Sequence, residues 1–398
     1  MILFYESDAI NAVLNDYTKL KNCTTELKNN RNVVRAAVSK DGLALQYASD
    51  ELKSDKIVVL EAVSKNGLAL QYASTELRND IDVVLEAVSN NGYALQFASP
   101  ELRDNELVVF EAVSNKGRAL EYASDRLKNN EKIVLQAVLN ESELRFTDQH
   151  YVLEFAGENL RDNELIVCES VSRHGKALKF ASDRLKNDKK VVHAAINNSW
   201  GLALEFASDE LKNDMDLVSK AISIDGSTIQ FASPELRDDI KIMLKAIYYY
   251  SDALRFASDR LKNDRDLVLY SVSERDALTI GYASEELRDD EEIALIAVTK
   301  RGRALEYLSE RLKNNKRVVL AAVANDGSAL QYASPELQQD LEVILTALIH
   351  DEDFPRIDKI IQDAIIIKYN SLIENKNAEL DEKSDNGPCK HKSFSNIN

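Results

Sequence analysis

Apolar residues recur along this chain with helical spacing inside each segment and with a period of 25 residues between segments. In residues 55–79, the apolar positions Val58, Val59, Ala62 and Val63 share one face of a helix. No segment alternates with a period of two over several residues, which is the pattern of a half-buried strand. The pattern therefore predicts an all-helical chain.

A second apolar string completes each segment. Ala-Leu-Gln-Tyr-Ala-Ser begins at Ala44 and again at Ala69, and it predicts a second, shorter helix over residues 68–73. A further helical turn is expected after Ser74, because Pro follows this Ser in some copies and Pro is favoured at the first helical position. Related strings begin at Ala94, Ala119, Val152, Ala177, Ala203, Thr228, Ala253, Thr279, Ala304 and Ala329.

Polar residues and glycines mark the ends of these predicted helices. Asp55 precedes the long helix, where a short oxygen-bearing side chain can accept hydrogen bonds from the free N–H groups of the first turn. Gly67 follows the long helix, and nine of the twelve glycines stand at this position. We interpret them as left-handed residues that end the helix. Ser74 is the expected N-cap of the final turn.

A unit of 25 residues cannot bury its own apolar face, but stacking on its neighbours can. The sequence therefore predicts an all-α solenoid, a superhelix of about thirteen 25-residue helical repeats with capping ends. We expect an N-terminal capping unit over residues 1–29, the tandem repeats over 30–345, capping helices over 346–374 and a disordered tail over 375–398. The tail has almost no apolar content.

Three insertions interrupt the 25-residue period. About eight extra residues lie between Leu139 and Tyr151, and single extra residues lie near Trp200 and Asp276.

Composition narrows the classes of partner. The formal net charge is −17, from 67 acidic and 50 basic residues, so nucleic acid is not the favoured partner, because phosphate binding draws on a basic surplus. Cys23, Cys168 and Cys389 are far apart and suggest neither a disulfide framework nor a metal site. We find no signal peptide and no apolar run long enough to span a membrane.

The pattern VVLxAVxxNGxALxYASxELKxD is matched by residues 58–80, with Arg78 for the Lys. It resembles the short helical repeat family catalogued as domain of unknown function 4116, over roughly residues 5–345. The resemblance implies a repeat scaffold, and it brings no assigned activity, catalytic residue or cofactor.

A basic residue recurs near the end of each repeat, and a solenoid would align these residues into a row. Such a basic row could bind RNA, another polyanion or an acidic protein. The alternative, which we favour, is that each base pairs with an acidic residue of an adjacent unit. The row consists of Lys53, Arg78, Arg103, Lys128, Arg161, Lys186, Lys212, Arg237, Lys262, Arg288 and Lys313.

An aromatic residue also recurs once per repeat. A ladder of rings could stack on nucleic acid bases. We favour packing between neighbouring units, since Tyr and Phe exchange freely there. The ladder consists of Tyr47, Tyr72, Phe97, Tyr122, Phe155, Phe180, Phe206, Phe231, Phe256, Tyr282, Tyr307 and Tyr332.

Two places depart most from the repeat and are candidate contacts for a partner. Exposed aromatic residues in turns favour a contact site, although simple drift of the repeat would look the same. One place is the long insertion, and the other is a run of tyrosines where Gly ends the helix elsewhere. The candidates are Phe146, His150, Tyr151, Tyr248, Tyr249 and Tyr250.

No pattern of catalytic, cofactor-binding or metal-ligating residues emerges, and the five histidines show no ligand spacing. The sequence thus favours a non-enzymatic scaffold that binds an unknown protein partner, with RNA or polyanion binding and a purely structural spacer as alternatives. We expect a cytoplasmic protein. The acidic block Glu379, Asp381, Glu382 and Asp385 resembles export signals of bacterial effectors, which would place it in a host cytoplasm; an ordinary disordered tail is the alternative.

Overall fold

A computed structural model describes residues 5–141 and 151–350 of the chain. These residues form α-, 3-10 and π-helices and contain no strand, so the predicted all-α solenoid of helical repeats is confirmed. Each regular repeat runs in the same order: a long α-helix, a 3-10 helix and a single short helical turn.

The long helices occupy Glu6–Asn15, Arg31–Lys40, Lys56–Lys65, Ile81–Asn90, Glu106–Asn115, Glu131–Leu139, Glu164–Arg173, Lys189–Asn197, Met215–Ile224, Ile240–Tyr249, Arg265–Tyr270, Glu291–Lys300, Lys316–Asn325 and Leu341–Ile349. The 3-10 helices that follow them occupy Tyr17–Asn22, Gly42–Tyr47, Gly67–Tyr72, Gly92–Phe97, Gly117–Tyr122, Gly175–Phe180, Leu202–Phe206, Gly226–Phe231, Ser251–Phe256, Ala277–Tyr282, Gly302–Tyr307 and Gly327–Tyr332.

The short elements that close the repeats are mostly single α-helical turns, at Thr25–Lys28, Asp50–Lys53, Pro100–Arg103, Asp125–Lys128, Glu158–Arg161, Asp183–Lys186, Asp209–Lys212, Pro234–Arg237, Asp259–Lys262, Glu285–Arg288 and Glu310–Lys313. Leu77–Asn79 and Leu337–Gln339 are 3-10 turns at the same position, and a short α-helix, Val152–Phe155, follows the long insertion.

The described residues divide into two compact bodies, with the boundary between residues 236 and 237. Each described body is a stack of repeats. The predicted N-terminal capping unit, residues 1–29, contains the same three helical elements as a regular repeat. The predicted tail, residues 375–398, and most of the predicted C-terminal capping segment lie outside the described residues.

The core of each repeat is the apolar face that the periodicity predicted. Val58, Val59, Ala62 and Val63 of one long helix are fully buried, as is Leu70 of the 3-10 helix after it. The second, shorter helix expected at residues 68–73 is present at Gly67–Tyr72 as a 3-10 helix, and its six residues exceed the usual length of 3-10 runs.

The predicted N-caps are confirmed. Asp55 Oδ1 accepts hydrogen bonds from the N–H groups of Ile57 and Val58, at 3.0 and 3.3 Å. Ser74 Oγ accepts from the N–H of Leu77 at 3.4 Å. A further cap was not foreseen: Asn66 Oδ1 accepts from the N–H of Leu68 and begins the 3-10 helix.

The interpretation of the repeated glycines as left-handed residues is wrong for eight of the nine and holds for Gly201. Among the described residues only Trp200 and Gly201 have a positive φ, of 56° and 83°. At Gly67 a Cβ atom would lie 2.2 Å from the carbonyl oxygen of Ala87 in the next long helix. The repeated glycine is therefore required by the close approach of two backbones in successive repeats.

The single-residue insertions are absorbed in two different ways. Near Trp200 the chain forms a left-handed turn at Trp200 and Gly201. Near Asp276 the long helix changes to a π-helix over Ser271–Arg275, which accommodates one more residue per turn. Both devices keep the flanking repeats in register.

Backbone hydrogen bonds join successive repeats. The N–H of Ser99, the N-cap of a short turn, donates to the carbonyl of Arg78 in the preceding repeat at 2.9 Å. The same bond links Ser124 to Arg103 and Ser182 to Arg161. The main chain of the basic row is therefore part of the joint between repeats.

Candidate functional site

Tyr248 and Tyr249 form an exposed aromatic pair at the end of the long helix Ile240–Tyr249. Their side chains are 57% and 50% exposed, and their rings meet edge to face with centroids 5.2 Å apart. In the repeat Ile81–Asn90 the same two positions are Ser89 and Asn90. The tyrosines thus replace small polar residues on the solvent side of the helix.

Arg275 of the next repeat packs on this pair. Its guanidinium carbon lies 5.1 Å from the centroid of the Tyr248 ring, and its Nη2 donates a hydrogen bond to the carbonyl oxygen of Tyr248. We name Tyr248, Tyr249 and Arg275 the tyrosine edge. The third predicted contact, Tyr250, is half-buried and occupies the position where Asn66 caps the 3-10 helix, but its side chain caps nothing.

The other predicted contact region is only partly described. Phe146 and His150 lie outside the described residues. Tyr151 is half-buried, and its ring centroid lies 6.1 Å from each of the rings of His174 and Phe180. Burial, with the nearby Glu141 carboxylate, raises the pKa of Tyr151. This tyrosine therefore packs at the base of the long insertion.

Glu141 is a buried acid that sequence reasoning missed. It is 6% exposed, and its Oε1 accepts a hydrogen bond of 2.8 Å from the N–H of Val152, on the far side of the long insertion. Its Oε2 is buried and has no hydrogen-bond partner among the described residues. Burial raises the pKa of this carboxyl to about 7.

The residues of the basic row are half-buried at the ends of the short helices. The pairing expected with acids of adjacent units is wrong for four of its lysines, which pair instead with an acid three residues earlier in their own turn. These pairs are Lys53 with Asp50, Lys186 with Asp183, Lys212 with Asp209 and Lys313 with Glu310.

The arginines of the basic row share a different feature. In the described parts of the chain, the Nε of each is buried and has no hydrogen-bond partner, and no ion pair to a carboxylate is found. The five are Arg78, Arg103, Arg161, Arg237 and Arg288.

The charge pairs between repeats involve other residues. Arg126 donates from Nε to Asp104 Oδ1 of the preceding repeat at 3.0 Å and from Nη2 to the Asp104 carbonyl, while Ser124 Oγ donates to the same carboxylate. The Ser124 hydroxyl and the Arg126 guanidinium lower the pKa of Asp104. The same Arg–Asp pair recurs at Arg184–Asp162, Arg260–Asp238 and Arg311–Asp289.

These joints follow a rule that the sequence contains. The position of Arg126 in one repeat is occupied by Arg only where the last residue of the preceding repeat is Asp. Where that last residue is Asn or Ser, the position of Arg126 is occupied by Glu or Asn; for example, Asn79 ends one repeat and Glu101 stands at this position in the next. Neighbouring repeats are therefore matched in charge.

A second set of ion pairs joins the start of one long helix to the start of the next. Lys56, the first residue of its helix, bonds the N-cap Asp80 of the next repeat at 2.8 Å. Burial tends to raise the pKa of Asp80, but the bonds from Lys56 and from the N–H of Val83 outweigh it and lower the pKa. Equivalent pairs are Arg31–Asp55, Lys189–Asp214, Arg265–Asp290 and Lys316–Asp340.

The remaining aromatic residues of interest are Trp200 and the aromatic ladder. Trp200, the only tryptophan, is 77% exposed in its left-handed turn. The single-residue insertion signalled an irregularity there but not this exposure. The rings of the aromatic ladder are half-buried apart from Tyr307, which is 37% exposed, so most of them are not free stacking platforms.

Within residues 5–141 and 151–350 no group of three or more His, Cys, Asp or Glu side chains is arranged to hold a metal ion. The same residues include no helix whose length and apolar content would let it span a bilayer.

One family model, described as Domain of unknown function (DUF4116), matches nine tandem and partly overlapping stretches. They are residues 8–53, 55–103, 105–161, 147–186, 163–200, 188–237, 239–288, 272–313 and 315–361. No curated protein and no solved structure matches the chain. Because these stretches cover well over half of its length, the chain belongs to the family Domain of unknown function (DUF4116).

Proposed function

We propose that this helical-repeat protein is a non-enzymatic scaffold that binds a protein partner through the exposed surface of its repeats. The observation that carries the proposal is the tyrosine edge. Tyr and Arg are among the side chains most enriched at the centres of protein interfaces, because they bring large contact area together with hydrogen bonding. Here two exposed tyrosines and one arginine stand together on a framework in which several other repeats carry Ser at the position of Tyr248, as at Ser64 and Ser89.

The rigidity of the surroundings supports this proposal. The tyrosine edge lies on a long helix whose residues Ile242, Met243, Ala246 and Ile247 are buried. Arg275 is held by its bond to the Tyr248 carbonyl and by the Tyr248 ring. A contact surface ordered before binding loses less conformational entropy when a partner arrives.

Binding of a polyanion is the second candidate, and one observation favours it. The five arginines of the basic row form no ion pair with a carboxylate among the described residues, and their Nε atoms have no hydrogen-bond partner there. Each buried Nε, however, points away from solvent, and the chain as a whole carries a net charge of −17. We therefore rank this candidate below protein binding.

A reducing compartment such as the cytoplasm fits the proposal. Cys23 and Cys168 are free, and burial raises the pKa of both thiols, which keeps them protonated and unreactive.

The test is affinity capture of proteins by the full chain from an extract of its source cells, with quantitative mass spectrometry. The variant Tyr248→Ser with Tyr249→Asn restores the residues that the repeat Ile81–Asn90 carries. Leu107→Ser is the control, since Leu107 is 59% exposed in another repeat. We expect at least one protein to be retained by the wild type and the control and lost by the tyrosine variant.

Identical sets of captured proteins on all three chains would contradict a role for the tyrosine edge. Capture of no protein by the wild type would favour a structural spacer. Tight binding of a labelled RNA at physiological salt would favour the polyanion candidate, because weak non-specific binding of RNA fades as salt rises.

A further inference from the structure

Three basic side chains meet at one turn of the second body. The long helix Glu291–Lys300 ends at Lys300, and the 3-10 helix Gly302–Tyr307 begins two residues later. Lys300, Arg301 and Arg303 are exposed and line a groove of about 330 Å³. Its other walls come from Leu278, Asn325 and Asp326. We name Lys300, Arg301 and Arg303 the basic groove.

The charge at this turn is reversed relative to its neighbours. In the repeats before and after, the residue at the start of the 3-10 helix is Asp276 and Asp326, and each accepts a hydrogen bond from the N–H two residues on. Arg301 stands at that position and its side chain caps nothing. A basic residue in the last turn of a helix interacts favourably with the helix dipole, which accounts for the presence of Lys300. Arg303 lies beyond the end of that helix, so the dipole does not account for it.

Local acids leave part of this charge available. Arg301 Nε lies 3.6 Å from Asp276 Oδ1, and the Arg301 side chain is still 59% exposed. The hydroxyl of Tyr332 faces Arg303 and raises the pKa of its guanidinium. Lys300 donates to the carbonyl oxygen of Ser273, a neutral acceptor. Glu306 and Asp326 also lie near Arg303 and raise its pKa, but among the described residues only Asp276 forms an ion pair with one of the three cations.

The basic groove is continuous with the tyrosine edge. Lys300 bonds the carbonyl of Ser273, and two residues along the same π-helix Arg275 bonds the carbonyl of Tyr248. Tyr248 and Tyr249 in one repeat, Arg275 in the next and Lys300 in the third therefore lie side by side. An aromatic patch followed by a cationic groove suits a ligand that carries an apolar side chain next to several negative charges.

We propose that the tyrosine edge and the basic groove together bind an acidic peptide segment of a partner protein, with carboxylates at Lys300, Arg301 and Arg303 and an apolar side chain against Tyr248 and Tyr249. This inference rests on the proposed function and names the chemistry of the partner. Charge complementarity carries it: Lys300, Arg301 and Arg303 offer three cations on one turn, whereas the net charge of −17 disfavours binding of an acidic ligand over the rest of the chain.

The test measures binding of a fluorescein-labelled twelve-residue peptide of Glu residues with one central Phe to the full chain, by fluorescence anisotropy. The variant Arg301→Asp with Arg303→Ser gives this turn the residues of the next repeat, Asp326 and Ser328, so it should fold. The matched control is Lys116→Asp with Arg118→Ser, the same change at the turn around Gly117, which has no neighbouring tyrosine pair.

We expect the groove variant to weaken binding by about tenfold or more and to flatten its dependence on salt, while the control binds like the wild type. The variant Tyr248→Ser with Tyr249→Asn should also weaken binding but should keep the salt dependence. A peptide with Gln in place of Glu should bind poorly to every chain.

Equal binding by the wild type and the groove variant would overturn the inference. Displacement of the peptide by an oligouridine at lower concentration than by unlabelled peptide would assign the groove to RNA instead. Tighter peptide binding after Glu379→Gln, Asp381→Asn, Glu382→Gln and Asp385→Asn in the full chain would name the chain's own acidic block as the occupant. If the tyrosine variant loses its captured proteins while the groove variant keeps them, the proposed function stands and the acidic partner fails.

Discussion

Replacing Gly92 by Ala tests the joint between repeats at its tightest point. A Cβ atom on Gly92 would lie 2.3 Å from the carbonyl oxygen of Ala112, whereas ordinary contacts begin at 3.4 Å. The two repeats would have to separate by about 1 Å, and the bond of 2.9 Å from the Gly92 N–H to Asn115 Oδ1 would lengthen with them. Overpacking against a buried backbone, together with a weakened hydrogen bond, should cost about 3 kcal/mol.

Gly281→Ala is the matched control. Its Cβ would lie 3.0 Å from the ring of Tyr307, a partly exposed side chain that can turn away. Both substitutions reduce the freedom of the unfolded chain equally, so that contribution cancels in the comparison. We expect Gly281→Ala to change the free energy of unfolding by less than about 1 kcal/mol. Urea unfolding followed by far-ultraviolet circular dichroism measures both.

Gly92→Asn separates close approach from backbone conformation. If glycine were needed for a positive φ, Asn would be tolerated better than Ala, because Asn adopts left-handed conformations more readily. The close approach to Ala112 predicts that Asn is at least as damaging as Ala. A stable Gly92→Asn chain beside an unstable Gly92→Ala chain would refute the reasoning.

Three further predictions concern caps, pH and the charge pairs. Asp80→Ala should cost about 0.5–2 kcal/mol in urea unfolding, since it removes an N-cap, and a neutral result would contradict the helix boundary. The pKa of Glu141 is about 7 in the fold against an ordinary 4.5, so the stability that its protonated form contributes below pH 4.5 is lost as the pH rises through 7. Because Gln does not ionise, Glu141→Gln should remove on the order of 3 kcal/mol of this pH-dependent loss. Wild-type and variant free energies of unfolding that run parallel from pH 4 to pH 8 would disprove the burial of this acid. Asp104→Arg and Arg126→Asp should each lower the thermal midpoint, and the double exchange should recover part of the loss; additive losses would show that the two residues do not interact.

The regular part of the fold was predictable because one apolar pattern recurs with fixed spacing. Val58 and Val59 lie in the core and Asp55 and Ser74 cap helices as the sequence predicted. The role of Gly67 was not predictable from one repeat, because the obstacle is a carbonyl of the following repeat.

The candidate surfaces were predictable only in part. A departure from the repeat marked Tyr248 and Tyr249, which are exposed, but not their contact with Arg275, because that contact depends on the π-helix in the next repeat. The matched pair of Asp104 and Arg126 was visible in the sequence as a covariation between repeats. Glu141 resembled any other surface acid, since its burial depends on packing at the insertion.

Deletion of whole repeats tests most directly the claim that the chain is built from charge-matched 25-residue units. Deleting residues 55–79 brings Arg31 next to Asp80, a matched joint like Arg31–Asp55. Deleting residues 80–104 is equally in register but leaves Lys56 facing Asn105 and Arg126 facing Asn79, which are mismatched joints. A deletion of twelve residues within 55–79 breaks the register. Thermal unfolding followed by circular dichroism should show the deletion of 55–79 close to the wild type, the deletion of 80–104 less stable, and the twelve-residue deletion with a loss of helical signal. Equal loss of helical signal after the deletion of 55–79 and after the twelve-residue deletion would contradict the claim.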